Sequence, residues 1–402
     1  MTIERRNCPV CRSQSGFTLV ELMITMVIFV LAITAASQIF VGLLTQFKQQ
    51  SKVAETNIEG VIGLELLRTD VEQAGFGLPW DMNGVTYLEA DHDLILTPWD
   101  DTVYNDAPGN PPRALVIGTS VGLNNSDLLI VKATNVATNN AAHRWTYITD
   151  NNGAFTIQQV NSSQEDLLNT DYVIGVMPTA SGGRKRVLVS GGAGEANGGV
   201  QFAGTPPGTT AGLQPVANTL LSNLVYGISS TGPLRMPFNR ADYYIRTPAA
   251  GIMPTRCAPG TGVLYKSIVN HSDGMHTEIP IMDCVADMKV VVGLDTNADN
   301  LVDTYNIPAG YNAQQVREQV KDVRVYIVAH EGQLDTSYSY KNQVRPPAVP
   351  AACDFDDVVC IMDTGLGFVK AVDLSTLPGI GTKWNNYRWK LYKLVASPYS
   401  MR

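Results

Sequence analysis

The feature that most constrains this chain is a long segment without charged side chains, from Leu22 to Phe47. An α-helix rises about 1.5 Å per residue, so the segment exceeds the roughly 20 residues that cross the hydrocarbon core of a bilayer. It therefore predicts a membrane-spanning helix. Arg5, Arg6 and Arg12 precede this segment, and the positive-inside rule places that end in the cytoplasm. We expect a single-pass membrane protein whose chain beyond Lys48 lies outside the cytoplasm.

A carboxylate stands at the head of this apolar segment. Glu21 lies in the run Gly16-Phe17-Thr18-Leu19-Val20-Glu21-Leu22. A charged group near a bilayer is costly, so its presence indicates a functional role with a specific partner. The run resembles the processing site of type IV prepilins and of type II secretion pseudopilins. This resemblance implies that a prepilin peptidase cuts after Gly16, that residues 1–16 are the leader peptide, and that Phe17 becomes a methylated N-terminus.

The same resemblance implies how the mature chain assembles. Glu21 becomes the fifth residue, and in the family this carboxylate pairs with the N-terminal amine of a neighbouring subunit. Such a pair removes two costly charges from an apolar filament core. The implied partners are the prepilin peptidase, the major and other minor pilins, the pilus assembly platform and the inner membrane. The implied location is first the inner membrane, with a periplasmic head, and then the pilus at the cell surface.

A second apolar pattern follows the membrane segment. From Val53 to Ala74 there is no proline, and apolar residues recur at three- and four-residue spacing, which predicts one buried helical stripe. Gly75, Gly77 and Pro79 are expected to end the helix. The predicted helix thus covers residues 17–78, with 22–47 in the membrane. The stripe consists of Ile58, Val61, Leu64, Leu67, Val71 and Ala74.

The rest of the chain, residues 79–402, predicts a large β-rich head. Short β-prone runs are separated by clusters of Gly, Asn and Pro, which is typical of antiparallel sheets. Residues 190–212 are rich in glycine and predict a long surface loop. The fold class is therefore α+β and pilin-like, with the long N-terminal helix packed on an antiparallel head. The predicted strands are 93–97, 114–117, 127–133, 155–160, 171–176 and 322–329.

Several segments resemble a narrower family, the PilW-type minor pilins, which are related to the J-type pseudopilins. They include the helix end at residues 66–77, the run from Ser126 to Val131, and two later stretches at 283–303 and 320–328. The resemblance implies a structural subunit, not an enzyme, that primes or joins assembly of a type IV pilus near its tip. A type II secretion pseudopilin and a pilus-displayed adhesin or binding module remain alternatives.

The six cysteines form two groups. Cys8 and Cys11 lie before the membrane segment, where a C-x-x-C pair supplies only two of the four ligands of a structural zinc site. Four more lie in the exported part, and an even number there predicts two disulfides with three possible connectivities. Pairing by proximity in the sequence is the arrangement we expect. It joins Cys257 with Cys284 and Cys353 with Cys360.

One loop of the head has the spacing of a calcium site. Oxygen ligands stand at alternate positions, as in looped Ca²⁺ sites, although the twelfth position is Asn306 instead of a bidentate glutamate. Asn300 replaces the usual glycine at position six, and asparagine adopts left-handed backbone readily. We expect weak calcium binding, with a polar turn without metal as the alternative. The predicted ligands are Asp295, Asn297, Asp299, Leu301 and Asp303.

Other patterns carry weaker signals. Residues 118–122 fit G-x-S-x-G, but no helix follows the serine as a hydrolase nucleophile requires. His271, Asp273 and His276 lie in a glycine-containing turn and are expected to be plain surface residues. The net charge of −8 argues against general binding of nucleic acid, and the basic run at 184–186 predicts a solvated loop.

Overall fold

The computed structural model describes residues 16–92, 99–160, 162, 164–179, 185–189, 196–203, 212–215, 221–249, 251–306, 310–342 and 350–401. Cys8, Cys11, the predicted strand 93–97 and most of the predicted loop at 190–212 lie outside these ranges. Contacts divide the chain into two units, one up to Lys52 and one from Val53 onward. In the first unit residues 19–52 are helical, and the second unit contains all the described sheets.

Helix α1 runs from Leu19 to Glu72. Within the described ranges it is the one helix long and apolar enough to cross a membrane, and the apolar window of that helix is wholly exposed. The predicted membrane segment 22–47 lies inside it. After Glu72 the chain turns through Gly75 and Gly77, both with positive φ, as expected for the residues that end a helix.

An eight-stranded antiparallel sheet forms the centre of the head. Its order is β1-β2-β9-β10-β11-β13-β16, and β12 pairs with β11. Strands β11 and β13 are long and buried on both faces. The strands are β1 (Leu115–Gly118), β2 (Leu128–Ala133), β9 (Asn239–Arg246), β10 (Gly262–Val269), β11 (His276–Leu294), β12 (Thr304–Asn306), β13 (Val320–Glu331) and β16 (Arg388–Ala396).

A six-stranded antiparallel sheet, ordered β4-β3-β8-β5-β6 with β7 beside β5, is inserted between β2 and β9. These two strands pair directly, with Ala133 opposite Asn239, so the chain leaves and re-enters the larger sheet at the same point. Helix α2 (Ala313–Gln319) and the hairpin β14–β15 come later. The strands are β3 (Trp145–Asn151), β4 (Ala154–Ile157), β5 (Tyr172–Thr179), β6 (Lys185–Val189), β7 (Val200–Gln201), β8 (Ser222–Ser229), β14 (Val358–Asp363) and β15 (Gly367–Asp373).

The strands predicted inside the described ranges are present. The runs at 114–117, 127–133, 171–176 and 322–329 correspond to β1, β2, β5 and β13, while β4 ends at Ile157 and is shorter than predicted. The basic run differs from its prediction. Lys185 and Arg186 lie in β6, and the Arg186 guanidinium lies 5.2 Å from the centre of the Trp80 ring. Cation–π contact of this kind holds a cationic side chain against the protein surface.

The C-terminal part of α1 packs on the large sheet, and the predicted stripe is confirmed from Leu64 onward but not before it. Leu67, Val71 and Ala74 are fully buried, as predicted, whereas Ile58 and Val61 are more than half exposed. The buried residues of the helix are Thr56, Gly60, Gly63, Leu67, Asp70 and Val71. In the N-terminal half of this contact the buried residues are small, which lets the helix backbone approach the sheet closely. Ile58 and Val61 then lie on the exposed side of the helix.

Gly63 is the tightest point of this contact. A Cβ atom at Gly63 would overlap the carbonyl oxygen of Ile281 in β11, which is backbone and cannot rotate away. We expect Gly63→Ala to lower the free energy of unfolding by about 1 to 3 kcal/mol, as overpacking does. Gly42→Ala is the control, since its Cβ meets nothing within 4 Å. Denaturant unfolding of both variants in detergent measures the difference, and equal stability would contradict the close packing.

A group of charged side chains is buried beside this sheet. Lys132 Nζ lies 2.7 Å from both Glu89 Oε2 and Asp106 Oδ2, and no part of its side chain is exposed. Arg240 contacts Glu89 at 3.3 Å and Asp242 at 2.8 Å. Burial alone would raise the pKa of Asp106, but the attraction of Lys132 and Arg113 is stronger in sum, so the pKa lies below its usual value. We call these five residues, Lys132, Glu89, Asp106, Arg240 and Asp242, the buried ion network.

Candidate processing and assembly site

The N-terminal end of α1 is closed by a local hydrogen-bond pattern. The Thr18 backbone N–H donates to Glu21 Oε2 at 3.0 Å, and the Glu21 N–H donates to Thr18 Oγ1 at 3.2 Å. The Thr18 hydroxyl also donates to Glu21 Oε2, at 3.1 Å. These reciprocal bonds form a capping box, which satisfies N–H groups that the first turn of a helix leaves free. Glu21 thus has a structural role within its own chain.

Gly16 and Phe17 precede this cap as exposed, non-helical residues. A Cβ atom at Gly16 would meet nothing within 4 Å, so the chain itself does not require glycine there. Phe17 is 84% exposed. The backbone between these two residues is therefore exposed, and packing within the described chain does not explain a glycine at position 16.

Polar contacts fasten the helix to the head at Asp70. The Tyr243 hydroxyl donates to Asp70 Oδ2 at 2.6 Å, and Lys266 Nζ lies 2.5 Å from the same oxygen. Burial raises the pKa of Asp70 above its usual value, and Lys266 and Tyr243 offset this only in part. Nearer the N-terminal end of the helix, the Gly332 N–H donates to Thr56 Oγ1 at 3.1 Å.

The first disulfide lies at the same contact. Cys257 is joined to Cys284, and Cys353 to Cys360, which are the pairs expected from sequence proximity. Arg256, next to the first disulfide, donates to Glu59 of α1 at 2.7 Å and to Asp283 at 2.8 Å. The disulfide therefore holds the segment whose arginine bridges the helix and β11.

Two family models match the chain. Residues 11–37 match the prokaryotic N-terminal methylation motif, which includes the capped helix start and the exposed Gly16–Phe17 bond. Residues 242–364 match the type IV pilus-assembly protein W. Together they identify a PilW-type minor pilin. No curated protein sequence and no solved structure matches the chain significantly.

The second match covers a defined part of the minor pilin's head. It starts in β9, includes β10, β11, β12, α2 and β13, and ends just after β14. Both disulfides and the predicted calcium loop lie within it. The inserted six-stranded sheet lies before it. Both matched families are structural pilin families, which agrees with the expectation of a structural subunit rather than an enzyme.

The predicted calcium loop is well ordered by hydrogen bonds of its own. Asp295 is buried, and its carboxylate accepts the backbone N–H groups of Ala298 and Asn300 at 2.7 and 2.9 Å. Desolvation raises the pKa of Asp295, but these N–H groups and Lys321 outweigh it and lower the pKa below its usual value. Asn300 has φ 66°, the left-handed conformation expected at position six.

The loop does not have its ligands arranged around a cation. The Asn297 side-chain NH₂ donates to Asp303 Oδ1 at 2.9 Å and to Asp299 Oδ2 at 3.3 Å. Lys321 Nζ lies 3.4 Å from Asp295 Oδ2. Calcium would require the amide of Asn297 to turn its oxygen inward, and the predicted ligand Leu301 to offer its carbonyl. Calcium binding by this loop therefore stays a prediction.

A melting experiment tests it. At about 10 mM Ca²⁺ and a dissociation constant of about 10⁻³ M, binding adds about 1.4 kcal/mol to the free energy of unfolding. We expect the minor pilin to melt at a higher temperature in calcium than in chelator. The double variant Asp295→Ala, Asp299→Ala should lose the difference, and Asn306→Glu, which supplies a bidentate carboxylate at position twelve, should enlarge it. If the unmutated protein melts at the same temperature in calcium and in chelator, the loop is a polar turn that does not bind calcium.

The remaining candidate residues take structural positions. His271 is partly buried; desolvation lowers its pKa to about 4, and its Nδ1 accepts the backbone N–H of Arg235 at 3.2 Å. The side chain of His276, the first residue of β11, is almost completely buried, so the expectation of plain surface histidines is wrong. Asp273 is exposed, as expected. After Ser120 of the G-x-S-x-G pattern come a three-residue 3₁₀ turn and then β2.

Sequence reasoning missed two features of the minor pilin. The spacing Thr18-x-x-Glu21 is itself the signature of a capping box and could have been read directly. The buried ion network had no such local signal. Lys132 and Arg240 are opposite each other in β2 and β9, and Glu89 and Asp106 reach them from the segment before β1, so the four are distant in sequence.

Proposed function

We propose that this chain is processed between Gly16 and Phe17 and then joins a type IV pilus as a minor subunit, using the charge of Glu21 to enter the filament. The observation that supports this most strongly is the methylation motif matched over the exposed Gly16–Phe17 bond and the apolar helix behind it. Cleavage on the cytoplasmic side leaves the whole apolar helix with the mature chain. The new N-terminus carries a positive amine at Phe17.

The two oxygens of Glu21 allow a double role. Both bonds from Thr18 end on Oε2, and among the described residues Oε1 accepts no hydrogen bond. The carboxylate can keep its cap through one oxygen and receive a neighbour's Phe17 amine on the other. In an apolar environment an unpaired charge is costly, and removing one partner of a buried pair costs more than forming the pair gains. A subunit that leaves either charge without its partner is therefore disfavoured in the filament.

Glu21→Gln separates the charge of this residue from its capping role. Glutamine retains an oxygen that can accept the Thr18 bonds, since Glu and Gln both serve in capping boxes, but it has no charge for the neighbouring amine. We expect normal membrane insertion and processing, with the amount in sheared pili lowered at least about tenfold, because about 1.4 kcal/mol is a factor of ten. Quantitative mass spectrometry of sheared pili measures it.

Thr18→Ala is the matched control for this experiment. It removes the hydroxyl that donates to Glu21 and accepts its N–H, while the charge stays. We expect incorporation close to that of the unmutated chain. If Thr18→Ala lowers incorporation and Glu21→Gln does not, Glu21 acts as a helix cap only and the charge-pairing proposal fails.

We place the subunit near the pilus tip, as a protein that primes or joins assembly. The support is steric. The head carries an inserted six-stranded sheet besides its central one, and so large a head is easier to accommodate at a filament end than at every repeat. The match to a pilus-assembly protein favours a pilus over a type II secretion system. A deletion strain that loses secretion and retains pili would overturn this choice.

A further inference from the structure

Three side chains of the types that bind metals lie close together, away from the contact between α1 and the large sheet. His92 Nδ1 is 3.5 Å from Asp100 Oδ1 and 3.9 Å from Asp101 Oδ1. Ligand atoms of all three residues lie within 4.8 Å of one another. His92 and Asp100 are partly exposed, whereas Asp101 is completely buried. We call these three residues the His92 cluster.

Asp101 supplies the decisive observation. Its Oδ1 is buried and has no hydrogen-bond partner among the described residues. Its Oδ2 is well satisfied, because His276 Nε2 lies 2.7 Å away and His276 Nδ1 lies 3.0 Å from Ser267 Oγ. A buried carboxylate oxygen without a partner costs roughly 1 to 3 kcal/mol or more. This oxygen points toward the imidazole of His92, where a cation would satisfy it.

The charge balance around Asp101 also favours a cation. Asp101 lies against the buried ion network, since its carbonyl accepts from Arg240 Nη2 at 3.3 Å. Among the lysine, arginine and carboxylate side chains paired here, four are carboxylates and three are cations. The cations are Lys132, Arg113 and Arg240, and the carboxylates are Glu89, Asp106, Asp242 and Asp101.

The elements that carry the cluster are held in place independently of any metal. The Asp91 N–H donates to the Gly274 carbonyl at 2.9 Å, which fixes the residue before His92 to the β10–β11 turn. That turn also leads into His276. Asp100 caps a short 3₁₀ helix by accepting the Thr102 N–H at 2.9 Å. Trp99 is buried against Tyr244, with ring centres 5.0 Å apart.

We propose that the His92 cluster binds a divalent transition metal of the Zn²⁺ class, with His92, Asp100 and Asp101 as ligands and His276 as the residue that orients Asp101. Two ligand atoms on one tetrahedral Zn²⁺ are about 3.4 Å apart, given metal–ligand distances of about 2.1 Å. The two separations from His92, 3.5 and 3.9 Å, are close to this value, and all three ligand atoms lie within 4.8 Å of one another. One imidazole and two carboxylates suit Zn²⁺ or Mn²⁺ better than Mg²⁺ or Ca²⁺. A hydrogen-bonded partner behind a metal-binding carboxylate is a usual feature of such sites.

Zinc titration of the full-length protein in detergent tests this, after removal of bound metal with a chelator. Cys8→Ser and Cys11→Ser form the background, so that the leader thiols cannot bind the probe. We expect saturable binding of one Zn²⁺ by calorimetry and a higher melting temperature with Zn²⁺ than with Mg²⁺. His92→Ala should weaken the affinity at least about 100-fold, and Asp101→Asn at least about 10-fold.

The controls separate this site from others. His143→Ala removes an exposed histidine outside the cluster and should leave the affinity unchanged. Asp299→Ala, in the predicted calcium loop, should do the same. Because the side chain of His92 is 44% exposed, its loss does not endanger folding. The proposal is overturned if the background protein binds no Zn²⁺, or if His92→Ala binds as tightly as His143→Ala, since His92 then forms only an ion pair.

Discussion

Gly16→Val is expected to leave most of the protein unprocessed, with its N-terminus at Met1. The reason is recognition by the peptidase and not folding, because a Cβ atom at Gly16 meets nothing within 4 Å of its own chain. A branched side chain there shields the bond before Phe17. We expect the mature form to fall at least about tenfold, since every 1.36 kcal/mol in a barrier is a factor of ten. Mass spectrometry of the purified N-terminus measures both species.

Gly42→Val is the matched control, because it places the same side chain at an open glycine within α1, away from the cleavage position. Its mature N-terminus should be Phe17, as in the unmutated chain. An unmutated protein that begins at Met1, or that has lost the apolar helix, would contradict processing at Gly16. So would a Gly16→Val chain that is processed as efficiently as the control.

Lys132→Met is expected to destabilise the head more than any single surface change. The substitution leaves the carboxylates of Glu89 and Asp106 buried with one cation fewer, and breaking a buried ion pair by removing one partner costs about 3 to 5 kcal/mol. Methionine has nearly the same length, so the loss of volume is small. Denaturant unfolding of the full-length chain in detergent gives the change in free energy of unfolding.

Lys390→Met provides a control of the same residue type. Lys390 Nζ lies 2.7 Å from Glu331 Oε1, the distance found for Lys132, but its side chain is 40% exposed. Exposed pairs contribute only about 0 to 1 kcal/mol. A loss at Lys390 as large as that at Lys132 would show that burial does not determine the strength of these pairs.

The sequence predicts the N-terminal part of this minor pilin well because its signals are local. The absence of charge from Leu22 to Phe47 and the glycines that end α1 depend only on residues close together in the chain. Strand positions in the head follow for the same reason. The sequence also places Glu21 at the start of the helix, but the prediction did not include its hydrogen bonds to Thr18.

Two other properties could not be read in this way. The buried face of α1 is set by how closely Gly60 and Gly63 approach Ile281 and Tyr392, which come from distant strands. Hydrophobic spacing alone favours Ile58 and Val61, so the prediction chose the wrong face there. The His92 cluster likewise depends on the β10–β11 turn, more than a hundred residues away, so no local spacing predicts the cluster.

The insertion point of the six-stranded sheet has a consequence for how such heads diversify. Because Ala133 and Asn239 are opposite each other in adjacent strands, everything between them is a branch whose two ends lie one strand spacing apart, about 5 Å. Such a branch can lengthen or change its composition without altering the register of β2 and β9. The family match begins at residue 242, just after this branch rejoins the large sheet at Asn239 in β9.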